Sequence, residues 1–261
     1  MADIVQYEAL GRVAVITLNR PDARNAVNGD VANAMEAALD QLEADPEIWV
    51  GILRANSQGQ EQPVFCAGAD LKAINSGQAG ALITKRGGFG GFTYRERSKP
   101  IIAAVDGLAT AGGLEIVLAC DLVVASSRAS FGLAEVKRSL IAGAGGLFRL
   151  PRAIGQAAAM EAILTGEPFS ARRAYELGLV SRLVEPGQAF DEALKLAAQI
   201  TAAAPLAVYA SRKVVLAAAY SDDETLKALT NAEFARVMNS EDTKEGLTAF
   251  IEKRAPNWQG K

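Results

Sequence analysis

Glu115 and Glu135 are the residues of this chain that first suggest chemistry. Each is a carboxylate set in a mostly apolar stretch, ATAGGLEIVLACD (109–121) and SFGLAEVKRSL (130–140). A carboxylate in such surroundings is costly to ionise, so it needs a reason to be there. The 261 residues include no histidine, which removes Ser-His-Asp and Cys-His nucleophile systems and His-ligated metals. Acid–base work is left to carboxylates, Lys, Tyr or Cys. Two carboxylates in apolar surroundings, facing one site, suit proton transfers beside a polarised carbonyl.

Such a site also needs donors for the carbonyl oxygen. A helix opening near Gly112 points unpaired N–H groups and the positive end of its dipole outward, and glycine lets a substrate approach that backbone closely. Glu115 lies three residues further on and projects from the first turn of the same helix. A second small-residue turn, FCAGADLKAI (65–74), follows the apolar strand WVGILRA and opens a helix at Asp70. The two turns could each offer one N–H to a single oxygen, with Ala69 and Gly112 as the donors. Taken alone, each glutamate also reads as a carboxylate on a solvated helix edge, and the glycines as packing residues.

The elements around these turns alternate. IVQYEAL and RVAVITL, joined through Gly11, read as a hairpin. Asn28 and Asp30 open a helix through Val31, Met35, Ala38 and Leu42, and WVGILRA returns as a buried strand. Strand IIAAV (101–105), a helix from Gly112, strand LVVAS (122–126) and a helix over 151–166 repeat the pattern, which predicts an α/β core with right-handed crossovers. From Gln188 onward only helical patterns remain. The chain therefore divides into an α/β part, 1–186, and a helical part, 187–261. The Gly-rich stretch 75–92 reads as a mobile loop or a loosely held helix. GAGG (143–146) and GGFGG (87–91) complete neither GxGxxG nor a P-loop, so a nucleotide loop is not expected.

The net charge is −3, from 27 basic and 30 acidic residues spread along the chain, with half of all residues apolar. No basic patch suits a nucleic acid, and small-molecule chemistry is expected instead. The first residues lack a charged segment followed by a long apolar run, and no apolar stretch approaches the ~18 residues that span a bilayer. No membrane partner and a cytoplasmic location follow as expectations. Cys66 and Cys120 lack CxxC spacing and read as reduced, packed thiols.

FCAGADLK, KPIIAAVDGLATAGGLEIVLACDLVVAS, SFGLAEVKRSLIAGAGGLFRLPRAIG and LTGEPFSARRAYELGLVSRLV resemble successive blocks of the crotonase, or enoyl-CoA hydratase/isomerase, superfamily. The similarity runs from the first strands to EKRAPNW, essentially the whole chain. It implies an α/β spiral of repeated ββα units followed by a C-terminal helical trimerisation region, assembled as a homotrimer or a dimer of trimers. It places the oxyanion hole on the N–H groups of Ala69 and Gly112 and the two hydratase glutamates on Glu115 and Glu135. The implied reaction is hydration of a 2-enoyl-CoA thioester, with Glu115 activating water and Glu135 protonating C2. In that reading the glycines clear space for the thioester oxygen.

The resemblance further implies that Arg24 lies near the CoA phosphates and Ala26 near the nucleotide, with Ala67, Asp70, Leu71 and Lys72 lining the same pocket. Phe250 and Lys253 match positions that reach CoA across a subunit boundary. No metal or separate cofactor is implied, because coenzyme A is part of the substrate. Ala111 stands where a third glycine is frequent, and Ile141-Ala142 where a proline often precedes the glycine. Both changes border the acyl pocket. Without the family, Arg24 and Lys253 also read as surface charges and Phe250 as packing for the last helix. Asp121 reads as a structural hydrogen-bonding residue rather than a third acid. An enoyl-CoA isomerase, a dehydratase of a specialised 3-hydroxyacyl-CoA and a non-catalytic acyl-CoA-binding protein are the competing functions.

Overall fold

The computed structural model describes residues 3–261. Strands β1 (Val5–Leu10) and β2 (Val13–Leu18) form the expected antiparallel hairpin, with Gly11 at φ +59 in the turn. Helix α1 (Gly29–Ala44) starts where Asn28 accepts a hydrogen bond from the Val31 N–H, and buries Val31, Met35, Leu39 and Leu42. A repeating unit follows. Strands β3 (Val50–Ala55) and β4 (Val64–Cys66) lead into α2 (Leu71–Asn75). After a short hairpin, β5 (Ile83–Thr84) and β6 (Gly88–Phe89), strands β7 (Ile101–Val105) and β8 (Leu108–Thr110) lead into α3 (Gly112–Ala119). Strands β9 (Leu122–Ser126) and β10 (Ser130–Gly132) lead into a 3-10 turn (Glu135–Arg138) and α4 (Gly146–Ile154). The chain continues through α5 (Gln156–Thr165), β11 (Phe169–Ser170), α6 (Ala171–Glu176), β12 (Arg182–Val184), α7 (Ala189–Thr201), α8 (Pro205–Ala217), α9 (Asp223–Met238) and α10 (Glu241–Glu252).

In each unit the first strand joins a six-stranded sheet, β1-β2-β3-β7-β9-β12, and the second joins a four-stranded sheet, β11-β10-β8-β4. From β2 onward the large sheet is parallel, and β4, β8 and β10 are parallel in the small one. Successive units therefore stack in one direction, which is a spiral. The alternation along each strand sends Leu53, Ile101, Ala103 and Val123 to a central core, and Val50, Ile52, Ile102, Ala104 and Val124 to the opposite face, where Ala193 and Ala197 of α7 cover them. Burial on both faces is why these strands read as continuous apolar runs.

Two expectations are corrected. The helix read over 151–166 is two helices, α4 and α5, broken at Gly155, whose φ of +81 leaves the helical region. The Gly-rich stretch 75–92 is neither a mobile loop nor a loosely held helix. It contains the β5–β6 hairpin, tied to α1 where Glu36 accepts from the Thr84 hydroxyl, the Gly87 N–H (2.9 Å) and Arg86 (3.1 Å). Arg86 also bridges to Asp40. Among the described residues, no single helix is long and apolar enough to cross a membrane.

Candidate active site

Two backbone segments face each other at one end of the small sheet. Beyond β4, the Val27 N–H donates to the Gly68 carbonyl and the Asp70 N–H to the Val27 carbonyl, both at 2.8 Å. Ala69 is thereby fixed between two bonded neighbours. Asp70 caps α2 by accepting from the Lys72 N–H (3.0 Å) and pairs with Arg20 at 3.1 Å. Burial opposes ionisation of this carboxyl, but Arg20 and the α2 N–H groups outweigh it and hold it below the usual range. Beyond β8, Ala111 donates to the Gly132 carbonyl and accepts from Leu114 and Glu115. Its φ of +51 and ψ of −129 are strained for alanine, a conformation held only by such flanking bonds. Among the described residues the N–H groups of Ala69 and Gly112 have no hydrogen-bond partner within the chain. The two segments touch: a Cβ on Gly68 would lie 2.9 Å from the Gly112 nitrogen.

The glycine pair at the start of α3 admits protein groups at close range. A Cβ on Gly112 would meet the Phe89 ring at 2.4 Å, and one on Gly113 would meet the Cys66 carbonyl oxygen at 2.1 Å. The approach that glycine permits is thus of α3 onto β4 and of the β5–β6 hairpin onto α3. What remains for a ligand is the N–H.

Glu115 is 3 % exposed. Its Oε1 accepts from the Ala144 N–H (2.7 Å) and the Gly146 N–H (2.9 Å), at the start of α4. GAGG is therefore a carboxylate-holding turn, and a helix N-terminus suits the negative charge. Arg149 ties this turn in place by donating to the carbonyls of Ala144 (3.2 Å) and Thr93 (2.6 Å). Burial raises the Glu115 pKa, and these two N–H groups and the Arg149 charge oppose the rise. Glu135, at the start of the 3-10 turn, has no such support. Its Oε2 is buried without a hydrogen-bond partner, and burial, with the Glu115 charge nearby, pushes its pKa up to about 7. Burial thus raises both carboxyls, but only Glu115 has N–H donors that oppose the rise, while Glu135 is poised to hold a proton at neutral pH.

Both glutamates, Ala69 and Gly112 line one cavity of about 980 Å³. Arg24, Ala26, Ala67, Asp70, Leu71 and Lys72 line it too. Phe250 and Lys253 do not: they sit at the end of α10, where Phe250 is 84 % exposed. The cavity wall includes residues the sequence reading missed, among them Arg20, Phe89 and Tyr94. Phe89 belongs to the GGFGG stretch, whose glycines mark close backbone packing rather than a phosphate loop. Tyr94 donates its hydroxyl to the Gly143 carbonyl at 3.2 Å.

Asp121 is a structural tie, as read. It accepts from the Ile101 N–H (2.8 Å) and pairs with Arg97 (3.4 Å) and with Arg212 of α8 (2.8 Å). Removing it leaves two largely buried guanidinium groups without their charge partner. Asp121→Ala is expected to lower unfolding free energy by about 3 kcal/mol, read from chemical denaturation. An unchanged midpoint would contradict that role. Cys66 and Cys120 are unpaired, and burial pushes both thiols up to about 12.

The sequence profile of the enoyl-CoA hydratase/isomerase family matches residues 8–261. The chain belongs to this family. Among family relatives, the (E)-benzylidenesuccinyl-CoA hydratase of Thauera aromatica is 40 % identical, covering 98 % of this chain and 99 % of its own. The short-chain-enoyl-CoA hydratase of Clostridium acetobutylicum is 37 % identical over 96 % of this chain and 95 % of its own. The crystal structure of an enoyl-CoA hydratase from Mycobacterium tuberculosis H37Rv superposes with a TM-score of 0.93 at 46 % identity, covering 99 % of this chain and all of that one. A spiral of ββα units with a helical C-terminal region is thus the family fold, and the cavity lies within it.

Proposed function

We propose that this family member is an enoyl-CoA hydratase, adding water reversibly across the 2,3 double bond of a 2-enoyl-CoA. The observation that carries the reading is the glutamate pair in one cavity, one carboxyl held by two N–H groups and the other raised to about 7 with an unpartnered oxygen. The thioester oxygen accepts from the free N–H groups of Ala69 and Gly112. Negative charge that develops on this oxygen is stabilised there, each donor contributing about 3 kcal/mol by analogy with other oxyanion holes. The Oε1 of Glu115 is occupied by its two donors, so Oε2 takes the proton from water as the water oxygen bonds to C3. Glu135 gives its proton to C2. The pair ends with its proton moved from Glu135 to Glu115, and exchange with solvent resets it.

Either direction needs one proton on the pair, so the rate is expected to be bell-shaped in pH. In hydration, kcat/KM falls as pH rises past about 7, where Glu135 loses its proton, and falls again on the acid side as Glu115 gains one. The test is loss of enoyl absorbance with crotonyl-CoA across pH, with the product mass determined. A gain of one water with the bell-shaped profile supports a hydratase. An isomerised product of unchanged mass would point to the isomerase, and CoA-thioester binding without turnover on enoyl thioesters of varied length would point to a binding protein.

The supporting contacts follow. Arg24 and Lys72 carry the positive charge for the CoA phosphates, since Arg20 is already engaged by Asp70. The exposed apolar side chains Phe234, Leu247, Phe250 and Ile251 on α9 and α10 favour assembly as a trimer or pair of trimers. In that assembly Phe250 and Lys253 reach the CoA of a neighbouring copy.

A further inference from the structure

Arg138 ends the 3-10 turn that begins at Glu135, and it lines the same cavity. Residues three apart in a 3-10 turn eclipse one another, about 6 Å apart along the axis. Arg138 therefore stands one turn beyond the group that protonates C2. Among the described residues it forms no ion pair, and its only hydrogen bond within the chain is to the Ala134 carbonyl at 3.5 Å, too long to hold it. Its neighbour Lys137, by contrast, is tied to Glu167 at 2.5 Å.

The small sheet sets where Arg138 lies relative to the thioester. Its order is β11-β10-β8-β4. Strand β4 runs into Ala69 and Lys72, with Arg24 beside it through a hydrogen bond from the Ala67 N–H to the Arg24 carbonyl. Strand β8 runs into Gly112, and β10 runs into Glu135 and Arg138. The strand that delivers Gly112 lies between the other two. Arg24 and Lys72 thus approach the oxyanion donors from one side and Arg138 from the other. A thioester with its CoA phosphates at Arg24 and Lys72 would therefore extend its acyl chain toward the side of Arg138, an exposed residue on the cavity rim beside the apolar Leu140 and Ile141.

We infer that Arg138 is a specificity-determining residue that receives a carboxylate at the far end of the acyl chain, making the preferred substrate the mono-CoA thioester of an unsaturated dicarboxylic acid. The inference rests on the acyl-CoA reading above. It also removes a tension in the site. The Arg138 charge favours the ionised form of Glu135, the opposite of what an acid needs. A substrate carboxylate paired with Arg138 cancels that pull.

The test is calorimetric binding of saturated mono-CoA thioesters of short dicarboxylic acids, graded in length, against their methyl esters. Wild type, Arg138→Gln and Arg138→Lys are compared as full chains. Wild type is expected to bind at least one acid thioester about tenfold or more tightly than its ester, the scale of a charge-assisted hydrogen bond. That preference falls to near parity in Arg138→Gln and survives in part in Arg138→Lys. Equal binding of acid and ester by wild type, or a preference that persists in Arg138→Gln, overturns the inference. Crotonyl-CoA hydration by wild type separates the two readings: a lost preference with intact hydration rejects the role of Arg138 alone. An Arg138-dependent preference without hydration of any enoyl thioester upholds Arg138 and rejects the hydratase.

Discussion

Glu115→Gln and Glu135→Gln are each expected to slow enoyl-thioester hydration by about a thousandfold, the middle of the range for a positioned general acid or base. The loss should fall on kcat, with acyl-CoA affinity little changed, because both groups act on the transition state. The two variants should differ in other ways. An amide at 115 places either its oxygen or its NH2 against the Ala144 and Gly146 N–H groups. The oxygen preserves those bonds, so the turn survives while the base is lost. At 135 burial disfavours the charge, so the folded state binds its proton more tightly than the unfolded chain does. That contribution to stability is present at low pH and is lost as pH rises through about 7. Glu135→Gln should therefore unfold at a higher temperature than wild type at pH 8, with the advantage shrinking at pH 5. Near-wild-type turnover in either variant would remove that residue from the mechanism.

Gly113→Ala is expected to cost about 3 kcal/mol of stability and most of the activity. Alanine inside a helix is ordinarily preferred to glycine by about 1 kcal/mol, so propensity alone predicts the opposite sign. Packing decides. The added Cβ would sit 2.1 Å from the Cys66 carbonyl oxygen and 2.8 Å from its carbon, both backbone atoms of a buried strand that have nowhere to move. The strand and α3 would separate, and with them the segments bearing the Ala69 and Gly112 N–H groups. Gly112→Ala should be milder, because its Cβ meets the Phe89 ring, a side chain able to turn aside. Denaturation midpoints and hydration rates for both variants check the order. A Gly113→Ala protein as stable as wild type would show that α3 does not need this contact.

The long strands and most helices were legible because their signals are local. IIAAV and LVVAS are buried runs bounded by polar residues, and they fall at Ile101–Val105 and Leu122–Ser126 as read. Asn28 caps α1, and Asp70 caps α2. The second sheet was not legible. Its strands β4, β8 and β10 are three residues each, too short for a period of two to stand out. Without them the alternation reads as an α/β core, and the spiral enters only by resemblance. The break at Gly155 was also hidden, since helical periodicity continues on both sides of it.

Residue identity by itself determined the kind of chemistry. With no histidine in the chain, two glutamates in apolar stretches and two small-residue turns after strands left proton transfer beside a polarised carbonyl as the reading, and the order of motifs led to the family. Only the tertiary structure decided how the glutamates differ. Glu115 is held by N–H groups donated from Ala144 and Gly146, far along the chain, and Glu135 is left with a buried oxygen and no partner. It also decided what the glycines are for: Gly113 admits the Cys66 carbonyl and Gly112 the ring of Phe89. These are contacts between segments distant in sequence. No local pattern encodes them, because the cost of burying a charge or adding a methyl group depends on what the fold brings alongside.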